Sequence, residues 1–283
     1  MKRNLLILFA VMLALPTFAR DFTYKYEGKT LTYTVIDEEA KTVCTKPGKA
    51  GVPGNYVAGE LNIPSIAVDE NNVSYTVVSI GDYSFAGPNS LTAVTIPNSV
   101  ITIGECAFFD GTELSSVTIG NSVQTICHGA FSWSGLTSLT IPNSVKTIEK
   151  YAFTYCGKLG IVTIPASVTS FGEGIFLDSY GVRTIYYNAI NPVEGPKDIF
   201  TTYNDSRTVL YVPAEAVEKC KSINPWMNFK KIEAYDFSQS AVDEIMSDED
   251  WENMPMFDLY GRKISEPQKG QIYVKGGKKF IQN

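Results

Sequence analysis

Apolar residues recur between residues 91 and 181 in fixed positions of a unit that is repeated four times. Each unit is 22 or 23 residues long and begins with Leu91, Leu114, Leu136 or Leu159. Self-similarity at this period predicts a solenoid. Because a solenoid offers a long repeated surface instead of one pocket, the period favours binding over catalysis.

Each unit contains an alternation of apolar and polar residues that is typical of a half-buried strand. In the first unit Val94 and Ile96 point inward, and Thr95 points to the opposite face. Pro97 then ends the strand because proline cannot donate to a ladder. The broad part of the predicted core is filled by Phe108, Phe131, Phe153 and Phe176. Only stacked units can bury these residues.

The units follow the pattern L-x-x-[VL]-T-I-[PG]-x-S-V-x-[TS]-[IF]-x-x-x-[AI]-F. This pattern resembles the BspA-like leucine-rich repeat of bacterial surface and secreted proteins, and the resemblance covers about residues 61–232. It implies a right-handed, curved, mainly β solenoid with a parallel sheet on its concave side. It also implies a role in adhesion or protein binding without enzymatic activity, and it transfers no ligand or binding residues.

The flanking segments predict caps and further domains. Residues 20–60 read as an N-terminal β-hairpin cap with its turn at Glu27 and Gly28. Residues 61–232 form the predicted solenoid, which contains an inserted hairpin around Asn71 and Asn72. The solenoid ends in a helical cap that Trp226 and Phe229 anchor, because a terminal repeat otherwise leaves core side chains in water.

The two ends of the chain predict export from a bacterial cell. Residues 1–19 have basic residues, an apolar run and a small-residue cleavage site, as in a secretory signal peptide. Residues 233–254 are acidic and read as an exposed linker. Residues 255–283 form a separate predicted β hairpin, which resembles the C-terminal sorting tails of secreted Bacteroidetes proteins. We therefore expect a secreted or surface-displayed monomer without a transmembrane segment in the mature chain.

Two exposed sets of residues are candidate ligand contacts. The first set is the concave row Thr95, Thr118, Thr140 and Thr163, which strand propensity alone also explains. The second set follows the core phenylalanines as an aromatic stripe of Phe109, Trp133 and Tyr155. Packing along the solenoid also explains the stripe, but aromatic residues are favoured at binding hot spots. A protein or glycan ligand suits either set.

The charge balance, the single histidine and the cysteines argue against other classes of function. Removal of Lys2 and Arg3 with the signal peptide leaves 22 basic and 30 acidic residues, which disfavours nucleic acid. His128 is the only histidine, and we assign it to the same repeat position as Glu105, Glu149 and Glu173. These four residues form either a solvated column or a weak cation site. The five cysteines include no C-x-x-C, so we expect buried thiols with at most one disulfide.

We therefore predict no catalytic residue, no cofactor and no metal site. The alternatives to a binding protein are a carbohydrate-active enzyme on a parallel β-helix and a passive structural spacer. The enzyme requires two facing carboxylates across a cleft, and the concave strands carry Thr, Ser, Ala and Gly instead.

Overall fold

The computed structural model describes residues 20–87, 90–200 and 204–237, together with the backbone of four strands between residues 256 and 281. The predicted signal peptide and residues 238–254 of the predicted linker lie outside the described residues. The chain divides into two compact units, residues 1–235 and residues 236–283. Within the described part of the chain, no helix has the length and apolar character needed to span a membrane.

The first unit begins with antiparallel strands, as predicted for the N-terminal cap. Strands β1 (Asp21–Tyr26) and β2 (Lys29–Asp37) form the hairpin, and its turn residues Glu27 and Gly28 have φ angles of 47° and 78°. Two positive φ values suit the tight turns that match the twist of a hairpin. Strand β3 (Thr42–Thr45) pairs antiparallel with β2.

The solenoid starts at β4 (Gly59–Asn62). The inserted hairpin predicted around Asn71 and Asn72 is formed by β5 (Ile66–Val68) and β6 (Ser74–Ile80), and Asn72 has a φ of 62°. Strand β6 also pairs in parallel with β3. The cap therefore continues directly into a sheet of the solenoid.

Each of the four repeat units contributes one strand to each of two parallel sheets. The strands are β7 (Leu91–Thr95), β8 (Thr102–Ile103), β9 (Ser116–Thr118), β10 (Thr125–Ile126), β11 (Ser138–Thr140), β12 (Thr147–Ile148), β13 (Ile161–Pro165) and β14 (Ser170–Phe171). The first strand of each unit lies in what we call the front sheet, and the second lies in the back sheet. A tight turn connects them, as where the Val100 N–H donates to the Pro97 carbonyl at 3.1 Å.

Three further strands extend the front sheet. These are β15 (Thr184–Asn188), β16 (Val209–Val212) and β17 (Lys231–Ala234), with the short helix α1 (Asn204–Arg207) before β16. The predicted helical cap consists of a 3₁₀ turn (Ala214–Ala216), the helix α2 (Val217–Cys220) and a second 3₁₀ turn (Trp226–Asn228). Trp226 is fully buried and stacks on Tyr187 at 4.2 Å between ring centroids, which confirms it as an anchor.

The back sheet is continuous from β3 through β6, β8, β10 and β12 to β14, whereas the front sheet is interrupted. The front sheet consists of a three-stranded part, β4-β7-β9, and a five-stranded part, β11-β13-β15-β16-β17. The unit before β11 is the 22-residue one, and it lacks one residue between Phe131 and Leu136. The interruption therefore coincides with the shortened turn that leads into β11.

The core lies between the two sheets and follows the predicted columns. Stacked phenylalanines run along it, with centroid separations of 5.0 Å between Phe108 and Phe131 and 5.3 Å between Phe131 and Phe153. The ladder extends beyond the four units to Phe85 and Phe200, which the sequence analysis did not place in it. Each of these coils contributes one ring, and the rings of the neighbouring coils are needed to bury it.

The second unit contains a four-stranded antiparallel sheet in the order β19-β18-β20-β21. Its strands are β18 (Met256–Asp258), β19 (Lys263–Ile264), β20 (Ile272–Lys275) and β21 (Lys278–Ile281). The sequence analysis predicted one hairpin here, and the structure has two, β18–β19 and β20–β21, joined through the pairing of β18 with β20.

Candidate binding surfaces

The predicted threonine row lies on the outward face of the front sheet. Thr95 is in register with Asn62 and Thr118, and Thr140 is in register with Thr163. Thr95, Thr118 and Thr140 are exposed and Thr163 is half-buried, while their strand neighbours Val94 and Leu139 are buried. Alternate residues of a strand point to opposite faces, so these side chains are available at the surface.

The same row continues into tyrosines that the sequence analysis did not select. Thr163 is in register with Tyr186, and Tyr186 is in register with Tyr211. The two tyrosine rings stack at 5.2 Å between centroids with an interplanar angle of 16°. We call Thr95, Thr118, Thr140, Thr163, Tyr186 and Tyr211 the front row.

Tyr235, immediately after β17, completes a three-ring cluster at this end of the front row. Its ring packs edge-on against Tyr186 at 4.9 Å and against Tyr211 at 5.8 Å, and 37% of the residue is exposed. Burial and the proximity of the other two tyrosines raise the pKa of Tyr186. The cluster presents hydroxyls and apolar ring surface together, and the Tyr186 hydroxyl is uncharged at neutral pH.

A second outward row runs beside the front row, two residues earlier in each strand. Its members are Ala93, Ser116, Ser138, Ile161, Thr184, Val209 and Lys231. Ile161 is 48% exposed although it is a large apolar residue. The face next to the tyrosines is thus more apolar than the face formed by the earlier coils.

The tyrosines were missed because the last two coils depart from the repeat pattern after their strands. The signal was nevertheless present, since Tyr186 follows Thr163 by 23 residues, one repeat period. Tyr211 follows Tyr186 by 25 residues, because the longer return through residues 189–208 separates them. Only the observed pairing of β15 with β16 places it in the same row.

Trp133 and Tyr155 form a stacked pair at one edge of the solenoid, in the turn that follows the core phenylalanine. Their centroids are 4.3 Å apart with an interplanar angle of 21°, and the residues are 47% and 42% exposed. We call these two residues the edge pair. Both have left-handed backbone, with φ angles of 61° and 56°.

The edge pair occupies a position that other coils fill with glycine or aspartate. Gly87, Asp110 and Asp178 have φ angles of 93°, 59° and 57°, and equivalent hydrogen bonds tie this position to the next coil. Glycine and aspartate tolerate left-handed backbone better than bulky residues do. Aromatic residues are therefore present here despite the local backbone preference.

Phe109 does not belong to this column, which corrects the predicted three-residue stripe. It precedes Asp110 by one residue, and its ring makes no ring contact with Trp133 within the described chain. The physical reason is the register between coils, in which the Asp110 N–H donates to the Ser132 carbonyl at 2.9 Å and so aligns Asp110 with Trp133. Phe109 remains 36% exposed.

Asp178 lies on the Tyr155 side of the edge pair. The Tyr180 hydroxyl donates to Asp178 Oδ1 at 2.6 Å. A hydrogen bond to Asp178 and its negative charge also raise the pKa of Tyr155. This carboxylate is thus engaged by tyrosine hydroxyls.

The column that contains His128 also differs from the expectation. Lys150, not Glu149, shares the position with Glu105, His128 and Glu173, because each of these four residues lies three residues before the core phenylalanine of its unit. Lys150 Nζ lies 3.5 Å from Glu173 Oε2, and Glu149 accepts a hydrogen bond from the His128 backbone N–H at 2.9 Å. Among the described residues no group of His, Cys, Asp and Glu is placed to hold a metal ion.

The cysteines are free thiols with little nucleophilic character. Four are buried and Cys127 is half-buried. Burial raises the pKa to about 11 for Cys44, Cys127, Cys156 and Cys220. Because the thiolate is the reactive form, these groups are protonated at neutral pH.

Several solved structures are similar to this chain, and the first of them supports the fold. The leucine-rich repeat protein of T. pallidum is 24% identical, with a TM-score of 0.54 over 64% of this chain and 78% of that one. A leucine-rich repeat protein from Bacteroides ovatus is 24% identical, with a TM-score of 0.40 over 69% of this chain and 56% of that one. The pneumococcal vaccine antigen PcpA is 15% identical, with a TM-score of 0.44 over 76% and 67% of the two chains. No curated protein matches the chain at a significant level.

The repeat region also matches a family model. Residues 69–195 match the BspA type leucine rich repeat region, in six copies. The match begins at the turn of the inserted hairpin and covers β6, the four regular units and β15. Residues 69–195 of this chain are therefore similar to the BspA type leucine rich repeat region.

Proposed function

We propose that this chain is a secreted or surface-displayed bacterial protein that binds a macromolecular ligand, a protein in the first instance, through the outward face of its front sheet. The leucine-rich repeat architecture supports a role in protein–protein interaction. The signal-like N-terminus and the resemblance of the family to bacterial surface proteins support export.

The observation that carries this proposal is the front row. One outward position of successive coils holds threonines and then stacked tyrosines, and Tyr235 packs against both tyrosines. Tyrosine is enriched at interface hot spots because its ring gives a large contact area and its hydroxyl gives a hydrogen bond. We therefore place the anchor of the ligand at Tyr186 and Tyr211 and its extension along the threonines.

A binding screen tests the proposal. Purified residues 20–283 are screened against a panel of host extracellular proteins and a glycan array. For a ligand found there, Thr118→Glu and Thr140→Glu should weaken affinity at least tenfold, since each introduces a charge on the contact face. Thr169→Glu is the matched control, because Thr169 is exposed just before β14 of the back sheet.

The outcomes separate the three functions under consideration. Loss of affinity in the front-row variants but not in Thr169→Glu supports binding at the front sheet. Release of reducing ends from a glycan supports the carbohydrate-active enzyme. A protein that binds nothing on either panel supports a passive spacer.

Export is tested separately by sequencing the N-terminus of the native protein. We expect the mature chain to begin near Arg20. The guanidinium of Arg20 already has a structural role, since its Nη2 donates to Asp69 Oδ2 at 2.8 Å. Recovery of an intact Met1 chain from the cytosol would contradict export.

We also propose that residues 255–283 act as a sorting or surface-attachment signal. Their separation as a compact antiparallel unit supports this role. Deletion of residues 255–283 in the native host should move the protein from the cell surface or medium to the interior of the cell envelope. Unchanged localisation by fractionation would mean that the tail is an accessory sheet.

A further inference from the structure

Basic residues are absent from a long part of the sequence that includes most of the early coils. Between Ala50 and Val145 the sequence contains no lysine or arginine. The same stretch contains the acidic residues Glu60, Asp69, Glu70, Asp82, Glu105, Asp110 and Glu113. Arg20 pairs with Asp69 and Glu70 from outside the stretch. The other five acidic residues make no ion pair within the described chain.

The edge pair is partly exposed and has one indole face without an aromatic neighbour, on the side of this acidic region. Trp133 stacks on Tyr155 through one face, and its other face makes no ring contact with any described residue. The neighbouring coil on the open side contributes Asp110 at the aligned position. Adjacent coils are separated by about 4.8 Å, so the side chain of Asp110 is within reach of a group that lies on the indole.

The carboxylate of Asp110 has no partner of its own. It makes neither an ion pair nor a side-chain hydrogen bond within the described residues, in contrast to Asp178 on the other side of the edge pair. The turn that contains Trp133 is also one residue shorter than its neighbours. The corresponding turns of the preceding and following coils, which contain Glu113 and Lys158, are longer and therefore flank the turn of Trp133.

We propose that the open face of Trp133, together with Asp110, binds a cationic side chain of a protein ligand, with arginine preferred over lysine. A cation over an indole face is attracted by the ring quadrupole, and tryptophan is the best ring for this contact. A guanidinium is planar and stacks on the ring while it donates to a carboxylate. The uncompensated acidic residues of the early coils attract such a ligand from a distance.

This charge distribution favours a basic peptide over a neutral glycan. A glycan also stacks on tryptophan, but it gains nothing from the acidic stretch. Of the cations that follow Trp133 in the sequence, Lys146 and Lys150 flank β12 of the back sheet, and Lys158 and Arg183 come after Tyr155. The site is separate from the front row, so its failure would leave the front-sheet proposal standing.

The test uses defined peptides as probes. An acetylated and amidated peptide with four arginines alternating with glycine is compared with the same peptide that carries citrulline, the neutral isostere of arginine. The chain has three tryptophans, Trp133, Trp226 and Trp251, so the indole N–H region of a ¹⁵N spectrum has three signals, and Trp133→Phe assigns one of them. We expect the arginine peptide to shift the Trp133 signal and the citrulline peptide to leave it in place.

Variants then separate a site from a general charge effect. Asp110→Asn should weaken binding of the labelled arginine peptide about threefold to tenfold, as expected for loss of one charged contact. Glu215→Gln is the matched control, because it removes the same charge from an exposed position in the C-terminal cap. Trp133→Leu should weaken binding about fivefold, whereas Tyr56→Leu, at a residue that is 73% exposed, should not.

Three results would overturn the proposal. The first is equal binding of the arginine and citrulline peptides. The second is an equal loss of affinity in Asp110→Asn and Glu215→Gln, which would indicate only the net charge. The third is a glycan that shifts the Trp133 signal when the arginine peptide does not, which would assign the edge pair to carbohydrate. Asparagine tolerates left-handed backbone, so Asp110→Asn keeps the fold and the comparison remains valid.

Discussion

The two parts of the front sheet share one interior but present different exteriors. In the three-stranded part the outward residues are small and polar, as at Asn62, Thr95 and Ser116. In the five-stranded part they include Tyr186 and Tyr211. The inward residues of both parts include leucine and isoleucine, and the inward Tyr187 of β15 is in register with Ile164.

This comparison shows which positions can change without a loss of core packing. A core position must match the rings and aliphatic side chains of the coils on both sides, because interiors are close-packed. An outward position meets only solvent or a ligand. The change from threonine to tyrosine along one row of outward positions is therefore the pattern expected of a binding surface.

The largest expected effect tests the shared interior. Phe131→Ala should lower the free energy of unfolding by about 3 to 5 kcal/mol, because Phe131 is fully buried between Phe108 and Phe153. Urea denaturation followed by circular dichroism measures the loss. A loss below about 1 kcal/mol would mean that the phenylalanine ladder does not hold adjacent coils together.

The next effect tests the two exteriors. Tyr186→Ala and Tyr211→Ala should each weaken affinity for a front-sheet ligand by at least about 1 to 2 kcal/mol. Thr95→Ala and Thr118→Ala should each change it by less than about 0.5 kcal/mol, since small side chains at the periphery of an interface contribute little. Titration calorimetry with one ligand compares all four variants. Equal losses in both pairs would remove the distinction between the two parts of the sheet.

A smaller effect concerns Asp69, an acidic residue that does have a partner, Arg20. Burial disfavours ionisation of Asp69, but hydrogen bonds from the Val73 N–H, from Arg20 and from the Asn71 N–H hold the pKa of its carboxyl below the ordinary aspartate value. A carboxylate with a lowered pKa stabilises the fold above the ordinary value, about 3.9, and loses this contribution as pH falls through the folded value.

We therefore expect the N-terminal cap to lose hydrogen-exchange protection as pH falls below about 4, before the core of the solenoid does. The Asp69→Asn variant should show a weaker cap at neutral pH and no acid-dependent step from this group. An identical acid response in the variant and the native protein would mean that Asp69 does not stabilise the cap.

The smallest effect separates the edge pair from the core two residues away. Trp133→Asp places at this position the residue type that two other coils have there, at Asp110 and Asp178. It should change the free energy of unfolding by less than about 0.5 kcal/mol, as is usual for surface substitutions. A loss above about 1 kcal/mol would show that the edge pair is structural.

The sequence by itself determined the repeat period, the inward columns, the tight turns and both caps. The reason is that apolar residues at a fixed spacing are all buried when the repeats stack into a solenoid. It also predicted the threonine row, since strand alternation assigns each residue to a face. These features depend on contacts within a coil or between coils of equal length.

Only the tertiary structure decided which side chains become neighbours across coils of unequal length. One missing residue before Leu136 is accompanied by a break in the front sheet, and the longer return before Thr208 still brings Tyr211 beside Tyr186. The length of each turn sets the register between neighbouring coils. That register is defined by hydrogen bonds between strands and turns of different coils, so no single segment of the sequence determines it.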